Sequence, residues 1–244
     1  MISVIIPTYR EPEYLDVCLK SCILGQKDKN EIIVVTDGYF NENIEVLKKW
    51  KDYIKVVDLG ENMGLPRATN FGVYNATEEY VLIVNDDNVF PKFWDDKLDK
   101  LDKTHNVVYS LNQMEPMPSI FPKFIIKDLG NDLKKFPDIF WNAFSSDSTK
   151  MSDTGGTLPI FIKKSVFKAV GGWDENYPTN GVVCDWDFFR KCEELGMNLV
   201  RVDDLIFYHF SQIATGKSRE DSERTGHEYF YYKWRSSYVP KALR

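Results

Sequence analysis

Short β-branched runs alternate with helical patterns over the first hundred residues, and that alternation limits the fold more than any other feature of the chain. Runs at 3–6, 31–35, 54–57 and 80–84 have the composition of strands buried on both faces of a parallel sheet. Between the first two, Leu15, Cys18, Leu19, Cys22 and Ile23 recur at i, i+3, i+4, i+7 and i+8, one apolar stripe on a helix. Pro12 stands where a first-turn proline is tolerated. Further helices are expected over 43–51 and from Pro66 to about Ala76. Strand and helix in this order predict βαβ units with right-handed crossovers, hence an α/β fold with a mainly parallel central sheet flanked by helices.

The segment 112–153 changes character. Pro116, Pro118, Pro122 and Pro137 interrupt it among Phe121, Phe140 and Trp141, which predicts a packed, irregular stretch with a lid-like loop at 145–156. Regular patterning resumes with a strand at 158–162, a short helix to Val170, a Gly171-Gly172 turn, and a helix from about Val183. Two strands, 198–202 and 205–210, and a last helix over 220–234 complete the pattern. The boundaries expected are one domain over 1–216, with halves at 1–111 and 112–216, and a helical tail over 217–244 packed on it. The net charge of −6 disfavours a protein that coats nucleic acid or an anionic membrane by charge alone. No run reaches the roughly 18 apolar residues of a membrane span. The start lacks a signal-peptide pattern, and four cysteines form no Cys-x-x-Cys pair, so a reduced, cytoplasmic protein is the expectation.

Ligands of an open parallel sheet bind beyond the carboxyl ends of its strands. Those ends carry Pro7-Thr8-Tyr9-Arg10-Glu11, Thr36-Asp37-Gly38 and Asn85-Asp86-Asp87-Asn88. Neither a Gly-x-Gly-x-x-Gly turn nor a Walker lysine loop follows the first strand, which disfavours dinucleotide-fold and P-loop chemistry. Two adjacent acids after an apolar run repel each other unless a cation or a hydrogen-bond donor compensates. Asp86-Asp87 therefore reads either as a divalent-metal and diphosphate site or as an Asx-rich turn closing the strand. Asp37 either accepts from a base N–H or shapes the turn with Gly38.

Taken together, several motifs resemble family 2 glycosyltransferases. These are the opening Ser3-Val4-Ile5-Ile6-Pro7-Thr8-Tyr9, the run 31–38 ending in Asp37-Gly38, the element 61–72 and the strand into Asn85-Asp86-Asp87. Gly171-Gly172-Trp173-Asp174-Glu175 and Asp185-Trp186-Asp187-Phe188-Phe189 extend the likeness over most of residues 1–210. The resemblance implies the GT-A fold, with a small acceptor-side sheet, and a sugar transferred with inversion from a nucleotide diphosphate to a hydroxyl of a glycan or other acceptor. Pro7, Thr8 and Tyr9 would line the base pocket, with Glu11 near the ribose or base. Asp37 would accept the N3–H of uracil, which favours a UDP-sugar, and Asp86 would meet the ribose and diphosphate. Asp87 would hold the metal, and His209, after an apolar strand, would complete its site. A carboxylate and an imidazole together suit Mn²⁺ better than Mg²⁺. Asn85 stands where the family's signature opens with Asp, Cys184 where a Glu is frequent, and Thr69 where an Arg is frequent, so Arg67 is the alternative phosphate contact.

Asp185 would be the general base, although an acid opening a helix also serves as a cap or dipole partner. Asp187 reads as a structural or acceptor-side acid. Trp173 and Asp174 would border the acceptor or donor sugar, with a core tryptophan after the Gly-Gly turn as the competing reading. Tyr229, Phe230, Tyr232 and Trp234 either dock the last helix or form an acceptor groove. Asp95, Asp96, Asp99 and Asp102 alternate with lysines and read as a solvated face. Two rival functions remain at this stage: a non-catalytic nucleotide- or glycan-binding module, and a glycosyltransferase acting on modified nucleic-acid bases. Only the tail, +3 against −9 for the remainder, favours the latter.

Overall fold

Ser3–Thr8 is β1, and its pleat sends successive side chains to opposite faces of a sheet. Val4 and Ile6 enter a core shared with α1 (Pro12–Gly25), while Ile5 enters the opposite one beneath α3 (Leu65–Asn75). A strand with both faces covered has no use for polar alternation, hence the continuous apolar run. The fold comes from a computed structural model in which residues 1–103, 106–144, 150–178, 181–211, 219–235, 238 and 240–243 are described.

The remaining strands are β2 (Glu31–Thr36), β3 (Lys55–Asp58), β4 (Tyr80–Ile83), β5 (Asn88–Val89), β6 (Val107–Glu115), β7 (Ile125–Ile126), β8 (Met151–Ser152), β9 (Ile160–Lys163) and β10 (Asn198–His209). The other helices are α2 (Phe40–Trp50), α4 (Trp94–Asp99), α5 (Phe136–Ala143), α6 (Lys164–Ala169), α7 (Cys184–Glu194) and α8 (Arg219–Trp234). The sheet runs β3-β2-β1-β4-β9-β6-β10-β5, with β7 beside β6 and β8 beside β10. The acceptor-side strands thus extend the main sheet instead of forming a small second one. Among the described residues no helix is long and apolar enough to cross a membrane.

β1 through β4 are mutually parallel, β9 runs against both β4 and β6, and β10 runs parallel to β6. Two reversals restore the original direction, so β1, β2, β4, β6 and β10 all end on one edge of the sheet. The chain order also reverses between β1 and β4, which opens a crevice there.

Several sequence expectations change. The tract from Asn112 is not irregular at its start: it continues β6, whose last residues carry the polar set Asn112, Gln113 and Glu115. The expected strands 198–202 and 205–210 are one strand, β10, whose register against β6 shifts between Val202 and Ile206. Asp95 does not join a solvated face: it is buried and accepts the backbone N–H groups of Lys27 and Asp28 and the Asn30 amide. Of the lid expected at 145–156, residues 145–149 lie outside the described residues. In the rest β8 pairs with β10, the Thr154 carbonyl accepts from buried Arg201, and Gly155 and Gly156 are buried.

Gly72 lets α3 lie directly on β1 and β2, since a Cβ there would collide with the Ile5 side chain and press on Val35. Gly72→Ala should therefore destabilise the protein by about 1–3 kcal/mol despite alanine's better helix propensity. A lowered urea midpoint at unchanged slope would register this.

Candidate active site

The common edge of the parallel strands floors a cavity of about 580 Å³. From the sheet it takes Pro7, Thr8 and Tyr9 after β1, Asp37 after β2, Asn85-Asp86-Asp87 after β4, Gln113 and Glu115 of β6, and His209 of β10. Trp173, Asp185 and Trp186 line it from the other side, and Glu223 and His227 of α8 close it. Nine of the twelve site residues expected from sequence line this cavity, whereas Gln113, Glu115, Glu223, His227 and lining residues between Pro118 and Phe124 were not among those expected. The first two had a readable signal: polar residues two apart at the end of an apolar strand share one face.

Thr8 donates its hydroxyl to Asp86 Oδ2 at 2.6 Å, tying the ends of β1 and β4 together across the crevice. Burial and the adjacent Asp87 push the Asp86 carboxyl up to about 7, against the hydrogen bond from Thr8. Asp87 faces His209, with Oδ2 at 3.3 Å from Nε2. Two-residue pairing of β5 with β10, His209 opposite Asn88, sets this facing. His209 Nδ1 lies 2.7 Å from Glu115 Oε1, so the imidazole is held between two carboxylates. Burial opposes charge on that ring, but Asp87 and Glu115 outweigh it and raise the histidine to about 10. Burial likewise opposes charge on Asp87, and His209 overrides it, keeping Asp87 below the ordinary carboxylate range.

Asp37 receives the backbone N–H of Met63 at 2.5 Å and of Gly64 at 3.0 Å. Its carboxylate therefore shapes the loop 62–64 over the cavity, and burial raises its pKa against those two amides. Asp185 lies in the first turn of α7, after Val183, a β-branched residue held at φ 74°. It makes no N-cap hydrogen bond across the turn; its Oδ1 accepts from the adjacent Trp186 N–H at 2.9 Å. Burial pushes Asp185 up to about 6.

The other residues singled out by sequence sit differently. Trp173 is 2% exposed and stacks on Phe188, its indole Nε1 without a partner among the described residues. Glu11 precedes α1 and is not among the cavity-lining residues. Neither are Arg67, which pairs with Glu175 at 3.1 Å, and Asp174, which pairs with Lys233 at 2.7 Å. Asp187 is fully buried and accepts from Lys233 and from the Trp234 indole N–H at 2.8 Å. Phe230 joins the core and Tyr229 packs edge-on against Tyr177, so the aromatic face of α8 docks the helix, while Tyr232 is exposed.

The described lining therefore holds six carboxylates, Asp37, Asp86, Asp87, Glu115, Asp185 and Glu223, against two histidines and neither lysine nor arginine. For a metal, Asp87 and His209 are a matching oxygen and nitrogen pair, and Glu115 on Nδ1 is the carboxylate that commonly orients a ligating histidine. No group of three or more His, Cys, Asp or Glu side chains among the described residues is gathered tightly enough to form a complete protein cage. A cation here would need further ligands from its substrate or from water.

Comparison with known proteins agrees with this layout. Over 194 residues the chain is 25% identical to a poly-β-1,6-N-acetyl-D-glucosamine synthase of Staphylococcus epidermidis, which covers 76% of this chain and 45% of that protein. The chain thus spans about half the length of the relatives it matches in this way. Among solved structures, a mannosyltransferase from Pyrobaculum calidifontis in complex with GDP-Man and Mn²⁺ superposes with a TM-score of 0.67 at 14% identity, covering 99% of this chain and 66% of that one. A TarS fragment from S. aureus in complex with UDP gives a TM-score of 0.63 at 16% identity, covering 97% and 72%. Both share the GT-A fold with this chain. The profile of glycosyl transferase family 2 matches residues 3–146, more than half of the chain, and the protein belongs to that glycosyltransferase family.

Proposed function

We propose that this protein moves a sugar from a UDP-sugar to an acceptor hydroxyl with inversion at the anomeric carbon. One observation carries the reading: Asp185 lines the same cavity as the Thr8–Asp86 and Asp87–His209 pairs, so a proton acceptor and an anion-handling end share one chamber. The domain boundaries at 216 and 217, with the two halves meeting near residue 111, are part of this proposal.

Pro7, Thr8 and Tyr9 would form the base pocket, with Asp37 accepting the uracil N3–H through the lone pairs that the 62–64 loop leaves available. Asp86 would meet the ribose and diphosphate. The UDP complex of the TarS neighbour supports the choice of nucleotide, and the Mn²⁺ complex of the mannosyltransferase supports a metal. Asp87 and His209 would hold that metal, Mn²⁺ or Mg²⁺, and when bound it would supply the positive charge that a leaving diphosphate needs. The described lining offers no lysine or arginine to do so. The Glu115 contact to Nδ1 would fix the histidine with Nε2 toward the chamber. Trp173 would support the sugar-binding wall from the core, beneath the Gly171-Gly172 turn. Glu11, Arg67 and Asp174 lie outside the lining, and we assign them no substrate contact.

In the reaction the acceptor oxygen bonds to the anomeric carbon as the bond to the diphosphate breaks, and Asp185 takes the hydroxyl proton. A base is useful only when ionised, and burial places Asp185 close to the working pH while leaving it basic. Accordingly kcat/KM should rise with pH through about 6 to a plateau, and a profile flat from pH 5 to 8 would speak against this base. Proton NMR of the glycoside formed tests the stereochemistry: an anomeric configuration inverted relative to the donor is expected, and a retained one would refute direct displacement.

A further inference from the structure

We propose that α8 is a clamp that positions the Asp185 carboxylate, gripping the start of α7 through Gly226 on one side of that residue and through Lys233 and Trp234 on the other. The proposal rests on the function proposed above, in which Asp185 is the base, and makes these three its positioning residues.

Gly226, Phe230, Lys233 and Trp234 recur at i, i+4, i+7 and i+8, so they share one face of α8. Phe230 seats that face in the core. The residues before and after it along the helix meet α7 at two separate places.

The first contact is with backbone. Gly226 packs so closely on the Val182 carbonyl that a Cβ would collide with it and press on the Val183 side chain. Val183 is held at φ 74°, a left-handed conformation that a β-branched residue keeps only where its surroundings over-determine it. The Cys184 N–H closes this turn from within by donating to the Gly181 carbonyl at 3.0 Å, and α8 backs it from outside. Asp185 follows Val183 by two residues, and the whole segment from Gly181 to Asp185 lines the chamber.

The second contact is a buried charge. Asp187 is fully buried, with Lys233 at 2.8 Å and the Trp234 indole N–H at 2.8 Å. Lys233 also pairs with Asp174 at 2.7 Å, and Tyr229 donates to that same carboxylate at 3.3 Å. Lys191 of α7 itself stands farther from Asp187, at 3.7 Å. A carboxylate in the core cannot part from such partners without leaving a buried charge uncompensated, so the first turn of α7 is tied to α8 here.

Asp185 lies two residues after Val183 and two before Asp187, between the grips. Its own hydrogen bond, from the adjacent Trp186 N–H, orients the carboxylate within the turn but does not place the turn. A base works only within hydrogen-bond reach of the proton it takes, so the position of this turn governs the rate. The other end of the chamber, Asp87 with His209, is set by strand pairing in the sheet and does not depend on α8.

The test uses Gly226→Ala, which improves helix propensity while wedging α8 off the Val182 carbonyl, and Lys233→Met, which releases Asp187. Crystal structures of both with UDP and Mn²⁺ should show the Asp185 carboxylate displaced by about 1 Å or more, with Asp87, His209 and the UDP in place. Release of UDP from UDP-glucose, UDP-galactose and UDP-N-acetylglucosamine, with water as acceptor, reads the consequence. In each variant kcat per UDP-binding site should fall by about tenfold or more at unchanged KM, with no further loss when the variant is combined with Asp185→Asn. An unmoved Asp185 in both structures would overturn the clamp, as would an unchanged kcat in both variants or a loss that multiplies with that of Asp185→Asn. Loss of the UDP-dependent rise in unfolding temperature in both would overturn it too, since α8 would then hold the whole chamber. Full activity of Asp185→Asn alone would instead refute the parent reading, and this one with it.

Discussion

Asp185→Asn should lower sugar transfer by about 10²–10⁴-fold while leaving UDP binding intact. The substitution keeps shape and volume in the first turn of α7, and the oxygen of the new amide can still accept the Trp186 N–H that Asp185 accepts now. What is lost is the ability to take a proton. Asp185 touches no group that the nucleotide is proposed to meet, so the effect should fall on kcat, with the UDP-dependent thermal shift preserved. The outcome also separates the two sequence readings of this acid. A residue serving only the helix dipole would cost about 0.3–1 kcal/mol of stability on neutralisation and leave turnover largely in place.

Asp87→Ala should abolish the Mn²⁺-dependent part of UDP binding, because it removes the carboxylate that faces His209 Nε2 in the chamber. Glu115→Gln tests the same site from behind. The amide can still contact Nδ1, but it loses the charge that helps hold the ring, and outer-shell changes of this kind cost about 10–100-fold in metal affinity. The two variants should therefore differ in degree: loss for Asp87→Ala, weakening for Glu115→Gln. Calorimetric titration of Mn²⁺ into each variant in the presence of UDP reads both values. Equal Mn²⁺ affinity in all three proteins would move the metal elsewhere.

The parallel half of the sheet was legible in sequence because a strand buried on both faces must be apolar through its middle, and β1, β2 and β4 are. The acids ending those strands were legible for the same reason: polar residues directly after such a run have little to do except line the crevice. Partner choice across long separations was not legible. Nothing local shows that Asp95 closes the loop at 27–30, or that Asp187 is the anchor for Lys233 and Trp234. His227 carried no signal in its own neighbourhood, since its place in the lining depends on where α8 docks, and docking is set by Phe230 in the core and Gly226 against Val182. Prolines masked β6 and α5 because Pro116 follows β6 at once and Pro137 stands in the first turn of α5, and a bulge split β10 in two for any reader of periodicity.

Thermal unfolding of the protein with UDP, GDP, CDP and dTDP, each with and without Mn²⁺, tests the central claim most directly. A ligand at 100 times its dissociation constant adds about 2.7 kcal/mol of stability, a readily measured shift. Stabilisation by UDP that requires Mn²⁺ is the predicted result. Stabilisation by GDP in preference to UDP would contradict the role given to Asp37, and no response to any nucleotide would contradict nucleotide-sugar transfer by this chain.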